Sequence, residues 1–452
     1  MKSNFSRREF VKKSAWGAAS TITLPAFLQN TIFNLDARAS TLPSPGKDGP
    51  IFVIVELAGG NDSLNTVIPY QNSTYLDARP NIAIRGEDGL HSVGSTNSVT
   101  GQSEALGLHP NLTQLHTLWE DGDLAIINGV GYPNPNLSHF TSFDYWHSAT
   151  PNEISNDGWI GRYFNSQCSG CDATQGIEIS NRKSNSFKVS DGISPSINFD
   201  DIDQYGWKDL ELRGRDIPLE ELYRKLIGLD HIVDQGIDTT NDALSYVQRA
   251  SHNAMISARN VFDASERGGE LAFEEWASSG LANDLKKITK LIKGGMDTSI
   301  YYAHQSGFDT HNNQANGGSG ASGSHADLLD TVDKALGSFV AEMKLAGLWD
   351  RVVILTYSEF GRKVIENGSQ GTDHGAAESV FVLGGQVSGN QFYGSFPDLA
   401  EDARVKRHSL DYNVDFRTVY RSILENWMHV PSNQIADIFP SQPANFNPLS
   451  FV

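Results

Sequence analysis

Two unbroken apolar runs rich in β-branched residues restrict the folds open to this chain. They occupy residues 51–55 and 352–355, and Thr356 extends the second run. Runs with no polar residue on either face are typical of parallel strands buried between two helical layers. Each run leads into a polar, glycine-containing loop, at residues 59–62 and 358–362. Because loops at the carboxyl ends of parallel strands open onto one crevice, the sequence predicts an α/β sheet with its site at these loops.

Other segments predict the remaining elements of such a fold. Apolar runs at residues 124–127 and 380–383 indicate two further strands, and residues 300–357 read as a strand–loop–helix–strand crossover. Helical spacing of apolar residues predicts a helix over residues 109–120, and an amphipathic helical layer over residues 218–297.

Two segments are predicted from their polar residues. A helix is expected to begin near Ser138, with Phe140, Phe143 and Trp146 on one face. Residues 172–217 are polar and rich in Gly and Asp, so we expect an irregular excursion with short strand-like pieces.

The charge of the chain excludes some partners. Its 452 residues carry 35 Lys and Arg against 54 Asp and Glu, a net charge of −19. Nothing offsets phosphate repulsion, so nucleic acid is excluded as a partner, and an anionic membrane surface is disfavoured. An anionic substrate would need a local positive centre, such as a metal ion or a converging Arg.

The N-terminus has the pattern of an export signal. Arg7 and Arg8, followed by Phe10 and Lys12, have the spacing of a twin-arginine signal. We therefore expect residues 1–39 to be removed, the twin-arginine machinery to be a partner, and residues 40–452 to form one periplasmic or otherwise exported domain. The alternative is a basic amphipathic helix of the mature protein. No later apolar run is long enough to span a bilayer.

The chain has two cysteines, Cys168 and Cys171. In an oxidising compartment a disulfide on a structural loop is the favoured interpretation. A redox motif and half of a zinc site are the alternatives.

Acid and imidazole side chains cluster in short glycine-rich motifs. Asp373 and His374 lie between Gly371 and Gly375. Asp309 and His311 follow an apolar strand-like run. Carboxylate oxygens and imidazole nitrogens are the ligands of divalent metals in proteins. The motifs therefore predict a site for a divalent ion, with Zn, Ca, Mg and Mn all left open.

Five motifs of the chain resemble those of a known family. They are Gly-Gly-Asn-Asp (59–62), Ser-His-Phe-x-Ser-x-Asp-x-Trp (138–146), Phe-Asp-Thr-His-x-x-Gln (308–314), Ser-Glu-Phe-Gly-Arg (358–362) and Gly-Thr-Asp-His-Gly (371–375). Together they resemble the bacterial exported "domain of unknown function 1501" proteins, which are more distantly similar to the alkaline phosphatase and sulfatase superfamily. The resemblance implies a doubly wound, mostly parallel α/β sheet sandwiched by helices, with a helical insertion and metal ligands on the loops at strand ends.

The resemblance also implies roles for individual residues. Ser138 falls at the superfamily's nucleophile position, and Arg362 is placed to clamp an anion. The implied metal ligands are Asp62, Asp309, His311, Glu359 and His374, with Asp373 adjacent. The implied function is an exported metal-dependent hydrolase of phosphate or sulfate esters, with Ser138 or a metal-bound water as nucleophile.

The chain differs from the superfamily at one metal-ligand position, and it lacks the sulfatase signature motif. Glu359-Phe360 stands where metal-dependent phosphatases have Asp-His, and Phe cannot bind a metal, so a one-metal site is expected. Formylglycine chemistry is excluded because no sulfatase signature is present. The alternative function is a catalytically silent metal-binding protein of the envelope that acts in binding or assembly.

Each site residue has a competing structural interpretation. Asp62 would close a turn, Ser138 would cap a helix, and Glu359 would pair with Arg362. Glu56 is the alternative acidic residue of the first strand. We expect His139 and His147 to be packing or surface residues.

Overall fold

The computed structural model describes residues 48–167, 173–180, 183–190, 196–202, 205, 210–212, 215–217, 243–316 and 318–452. The expected signal at residues 1–39 and the Cys168–Cys171 loop lie outside the described residues. So does the first part of the expected helical layer, residues 218–242.

The strands, in chain order, are β1 (Ile51–Ala58), β2 (Val67–Ile68), β3 (His91–Asn97), β4 (Ser103–Leu108), β5 (Leu124–Gly131), β6 (Gly176–Ile179), β7 (Ser196–Phe199), β8 (Leu210–Leu212), β9 (Arg215–Ile217), β10 (Ile300–Ser306), β11 (Val352–Tyr357), β12 (Glu378–Gly384), β13 (Gln391–Tyr393) and β14 (Val414–Asp415).

The α-helices are α1 (Ser73–Ala78), α2 (Thr113–Asp121), α3 (His139–Ser148), α4 (Trp159–Gln167), α5 (Ala243–Gly268), α6 (Gly280–Lys293), α7 (Ser324–Leu345), α8 (Phe416–Ser422) and α9 (Ile435–Ile438). A π-helical turn, Ile423–Trp427, extends α8. Single 3-10 turns lie at Ser63–Asn65, Gly86–Asp88, Asn185–Phe187, Trp349–Arg351, Glu401–Ala403 and Ser432–Gln434.

A nine-stranded sheet organises the fold. Its order is β13-β5-β12-β11-β1-β10-β6-β7, and β14 also pairs with β5. Strand β12 runs antiparallel to both of its neighbours, while the other pairs in this sheet are parallel. The expectation of a mostly parallel α/β sheet is confirmed, as are the four strands predicted from apolar runs. The crossover at residues 300–357 is also confirmed, with β1 lying between its two strands.

Helices cover both faces of this sheet. Alternate residues of β1 point to opposite sides: Val53 and Val55 join the core beneath α2, α5, α6 and α7, whereas Phe52 and Ile54 join the core beneath α3, α4, α8 and α9. Each fully buried Val, Ile or Phe side chain contributes about 1.5–3 kcal/mol. A strand that contributes on both faces explains why its sequence has no polar alternation.

Two sequence expectations are wrong in part. Residues 172–217 include β6 and β7, which extend the main sheet. The polar Glu178 is buried in β6, where its carboxylate accepts a hydrogen bond from the Ser184 N–H. Phe140 is 85% exposed rather than facing inward with the buried Trp146. Three residues of an α-helix turn through about 300°, which is about 60° short of a full turn. Six residues therefore separate these two side chains by about 120° around the helix axis.

None of the helices within the described residues combines the length and apolar composition needed to cross a membrane.

A buried ion pair fixes the loop after β1. Asp62 and Arg79 are both fully buried, and the two Arg79 Nη atoms donate to the two Asp62 oxygens at 2.7 and 2.9 Å. The remaining Arg79 N–H groups donate to Asn65 Oδ1 and to the carbonyls of Lys363 and Val364. Burial would raise the pKa of Asp62, but the charge of Arg79 lowers it below its usual value. All five donors of Arg79 are therefore used in joining this loop to residues 363–364.

Replacing Arg79 with Met is expected to lower the free energy of unfolding by about 3–5 kcal/mol, because it leaves a buried carboxylate without a partner. Chemical denaturation measures this change. The control is Lys334→Met, which breaks an exposed pair with Asp330 and is expected to cost less than about 1 kcal/mol. Adding Asp62→Leu to Arg79→Met should recover part of the loss. Equal stability of the Arg79 and Lys334 variants would contradict this prediction.

Candidate metal centre

Four side chains converge where β1, β10 and β11 end. Asp309 and His311 lie on the loop after β10, His374 lies on the loop before β12, and His139 is the first residue of α3. Ligand atoms of His139, Asp309 and His374 all lie within 4.8 Å of one another. We call His139, Asp309, His311 and His374 the imidazole cluster.

The distances within the imidazole cluster suit a small divalent ion. His311 Nε2 and His374 Nε2 are 2.9 Å apart, and each is 3.1 Å from Asp309 Oδ1. His139 Nε2 is 3.5 Å from Asp309 Oδ2. Zinc–nitrogen bonds of about 2.0–2.1 Å place tetrahedral ligands about 3.3 Å apart. The ligand atoms of His139, Asp309 and His374 therefore have the chemistry and spacing of such a site, and His311 lies beside them, close to Asp309 and His374.

An oxygen acceptor beside each Nδ1 leaves the Nε2 atoms of the three imidazoles facing Asp309. His374 Nδ1 is 2.8 Å from the Leu137 carbonyl, which can only accept, so neutral His374 carries its proton on Nδ1 and leaves Nε2 bare. His139 Nδ1 is 2.5 Å from Glu359 Oε1, and His311 Nδ1 is 3.4 Å from Asp373 Oδ1. Acceptors behind Nδ1 are the usual support of metal-binding imidazoles.

His139 has an unsatisfied nitrogen. Its Nε2 is buried and makes no hydrogen bond, while the ring packs against Phe360 at a centroid distance of 4.9 Å. A buried nitrogen that lacks a partner requires an explanation, because leaving it unsatisfied costs about 1–3 kcal/mol. An ion held by Nε2 would supply the missing partner.

Arg362 supports the imidazole cluster from below. The guanidinium is buried, and its Nη2 donates to Asp309 Oδ1 at 2.8 Å. Nη2 also donates to the carbonyls of Gly59 and Phe308, while Nε donates to the Gly60 carbonyl and Nη1 to the Thr372 carbonyl. Burial would raise the pKa of Asp309, but the hydrogen bond and charge of Arg362 help to lower it to about 2. Asp309 is therefore a carboxylate at neutral pH.

Two glycines let the loops approach this closely. Gly59 has φ +124°, and a Cβ there would lie 2.4 Å from Asp309 N. Gly60 has φ +81°, and a Cβ there would lie 2.4 Å from the Phe360 ring. Both conformations favour glycine, and both positions lack room for a side chain. The N–H groups of the two glycines donate to Glu359 at 3.1 Å, which fixes the carboxylate that holds His139.

The structure places the residues expected from the sequence in two groups. Asp309, His311 and His374 are brought together in the imidazole cluster. Glu359 and Asp373 lie behind it, against the Nδ1 atoms of His139 and His311. The hydrogen bond from Lys363 lowers the pKa of Asp373 to about 2.

The other expected residues have different partners. Asp62 lies outside the imidazole cluster, with both oxygens bound to Arg79. Arg362 and Glu359 are not paired with each other, since Arg362 binds Asp309 and Glu359 binds His139. Ser138 is exposed and is the N-cap residue of α3, but its side chain makes no capping hydrogen bond.

Sequence reasoning missed His139. It was expected to be a packing or surface residue, yet it belongs to the imidazole cluster. The available signal was its position directly after Ser138, at the start of the predicted helix. His147, by contrast, is buried two turns further on with its Nε2 2.7 Å from Glu56 Oε2.

We expect His139 and His374 to titrate on opposite sides of pH 6.5 in the metal-free protein. The hydrogen bond to Glu359 raises the pKa of His139 above 6.5, whereas burial lowers the pKa of His374. The stability that the His139–Glu359 contact adds is therefore complete below pH 6.5 and is lost as the pH rises through the folded-state pKa. Imidazole NMR titration measures both values.

The matched variant is Glu359→Gln, which keeps the shape of the side chain but removes its charge. It should lower the pKa of His139 and leave that of His374 below 6.5. An unchanged His139 pKa in this variant would contradict the assigned cause.

Comparisons with known proteins give a family match over part of the chain. Residues 236–438 match the family described as "Protein of unknown function (DUF1501)". No curated protein matches the chain.

Solved structures with similar folds have low identity to this chain. The lipoteichoic acid synthase LtaP from Listeria monocytogenes is 12% identical, with a TM-score of 0.31 over 81% of this chain and 74% of that one. A protein in the alkaline phosphatase superfamily from Vibrio parahaemolyticus is 10% identical, with a TM-score of 0.31 over 81% and 69%. The PsFucS1 sulfatase from Pseudoalteromonas sp. is 11% identical, with a TM-score of 0.31 over 83% and 70%.

Structural likeness at this level does not bear on the activity of this chain. Its α/β class is shown by its own strand order. The family match is more specific, because it spans the loops that carry Asp309, His311, Glu359 and His374. Over residues 236–438 the resemblance expected from the motifs is confirmed, and this part of the chain carries the sequence pattern of the DUF1501 family.

Proposed function

We propose that this protein is an exported, metal-dependent hydrolase of phosphate or sulfate esters. The observation that carries the proposal is the convergence of three Nε2 atoms on Asp309, with the Nδ1 atom of each imidazole hydrogen-bonded or close to an oxygen acceptor. Surface histidines without a ligand have no need of such support. The twin-arginine pattern at residues 6–12 supports export. The nine-stranded sheet includes both β1 and β14, the first and last strands of the chain, which supports a single domain over residues 40–452.

The proposed ligands are His139, Asp309, His311 and His374. Three imidazoles and one carboxylate favour zinc over calcium or magnesium, which prefer oxygen ligands. A divalent ion bound there would neutralise the anionic ester and lower the pKa of a nearby hydroxyl or water. In a chain of net charge −19, it would supply the positive centre that an anionic substrate needs.

The residues of the chain would divide the other tasks. Asp309, kept ionised by Arg362, places Oδ1 3.1 Å from the Nε2 atoms of His311 and His374, where one ion would be shared by all three. Ser138 lies between Leu137, whose carbonyl binds His374, and His139, so its hydroxyl is carried on the backbone that borders the site. It also precedes α3, whose first N–H groups have no acceptor within the helix and suit an anionic oxygen.

The second candidate function is a silent metal-binding protein of the envelope. Phe360 occupies a position where a second metal would need a ligand, and its buried ring packs against His139 and His374. Asp62, the acidic residue after β1, is held by Arg79. Both observations leave one ion at most in this region, which is compatible with binding alone.

Elemental analysis of the purified protein is expected to find about one divalent ion per chain. His139→Ala and His374→Ala should each lose most of it, and added zinc should raise the melting temperature of the wild type but not of these variants. The control is His116→Ala, a surface histidine 3.9 Å from Glu120. A metal-free wild type whose melting temperature does not respond to zinc would end the metal proposal.

Turnover separates the two functions. The metal-loaded wild type is expected to hydrolyse members of a panel of phosphate and sulfate esters, and Ser138→Ala to reduce kcat at least about 100-fold at unchanged metal content if Ser138 is the nucleophile. Full activity of Ser138→Ala would assign attack to water instead. A loaded protein that turns over no ester would favour the silent alternative.

A further inference from the structure

A cavity lies away from the imidazole cluster. Its volume is about 530 Å³, within the range of small-ligand sites. Lys286 and Lys290 of α6, Trp276, and Ser265 and Glu270 near the end of α5 are among its lining residues. The segment after β7 forms another wall, and β7 is three strands from β1 in the sheet. Strand spacing of about 4.8 Å separates these two strands by about 14 Å.

Three lysines and two acids line this cavity, so positive side chains outnumber carboxylates there. Lys286 and Lys290 are one helical turn apart, where like charges repel. Neither is paired with a carboxylate in the part of the chain that the structure describes, whereas the neighbouring Lys287 binds Asp284 and Lys293 binds Glu342. Local positive charge of this kind is unexpected in an acidic protein, and an anion would relieve the repulsion.

Trp276 adds an apolar surface to the cavity. The ring is half-buried, and Lys286 Nζ lies 5.6 Å from its centroid, so the positive charge lies close to the ring. Sugar rings offer C–H faces that pack on an indole, while Ser265 and Glu270 offer oxygens that accept from sugar hydroxyls.

We propose that this cavity binds an anionic saccharide, with the ring on Trp276 and the anionic group on Lys286 and Lys290. An aromatic surface alone would suit neutral sugars, and lysines alone would suit any anion. Their combination in one cavity selects a ligand that has both properties. The site needs no residue of the imidazole cluster and is independent of the ester hydrolysis proposed above.

Calorimetry on the purified full chain tests this at physiological salt. The probes are a sulfated tetrasaccharide, a uronic-acid tetrasaccharide, a neutral tetrasaccharide and inorganic sulfate. At least one anionic saccharide is expected to bind at least tenfold more tightly than both the neutral one and inorganic sulfate. Comparison of the two anionic probes assigns the preferred anion. Equal affinity for inorganic sulfate, or no binding of either anionic saccharide at millimolar concentration, would overturn the proposal.

Matched variants locate the binding. The double substitution Lys286→Ala with Lys290→Ala should weaken the best probe at least tenfold, and Trp276→Leu should do the same without unfolding the chain. The control, Lys334→Ala with Lys344→Ala on α7, removes the same charge and should change the affinity less than twofold. An equal loss in the control would show non-specific attraction and reject the site. His374→Ala should bind as the wild type does, which separates this test from the metal proposal.

Discussion

The buried guanidinium of Arg362 holds together the loops on which the candidate metal centre is built. It reaches the carbonyls of Gly59 and Gly60 after β1, the Phe308 carbonyl and the Asp309 carboxylate after β10, and the Thr372 carbonyl before β12. Planar, rigid donors make Arg suited to such a junction, since one side chain fixes several directions at once. Arg362 adds to the backbone hydrogen bonds between these segments, in which the Phe308 N–H donates to the Ala58 carbonyl and the Thr372 N–H to the Thr310 carbonyl.

A buried carboxylate complements that junction. Glu359 is fully buried, and its charge is compensated by the N–H groups of Gly59 and Gly60, by Ser358 and by His139. The carboxylate thus joins the β1 loop to the first residue of α3. Arg362 and Glu359 are close in sequence, yet each serves a different part of the imidazole cluster, so the loop after β11 supports both sides of the site.

The sequence predicted the sheet better than the site. Residues 51–55 and 352–355 are apolar on both faces, and only burial between two layers explains such runs, so these strands were predictable. The direction of β12 was not, because a strand buried on both faces has the same composition in either direction. Residues 176–179 were expected to be strand-like, but their place in the main sheet was not predictable, since the burial of Glu178 depends on a backbone N–H that no sequence pattern reveals.

For the candidate site, residue types were predictable and partners were not. His374 stood out because it sits with Asp373 between two glycines, and Asp309 and His311 because an acid and an imidazole follow a predicted strand. Asp62 looked equivalent, but its partner Arg79 directly follows α1 and the pairing is a property of the folded loop. His139 was missed because a single His at a helix start is common, and its role depends on Glu359, which is 220 residues away.

The position of β1 has a consequence for synthesis of the chain. It pairs on one side with β10 and on the other with β11, and about 240 residues separate its end from the start of β10. At about 5–20 residues per second, the ribosome needs roughly 10–50 s to deliver the first partner. For that interval an apolar strand has both hydrogen-bonding edges free, which is the condition that promotes aggregation. Nascent β1 is therefore a segment of this protein for which protection by a chaperone would matter.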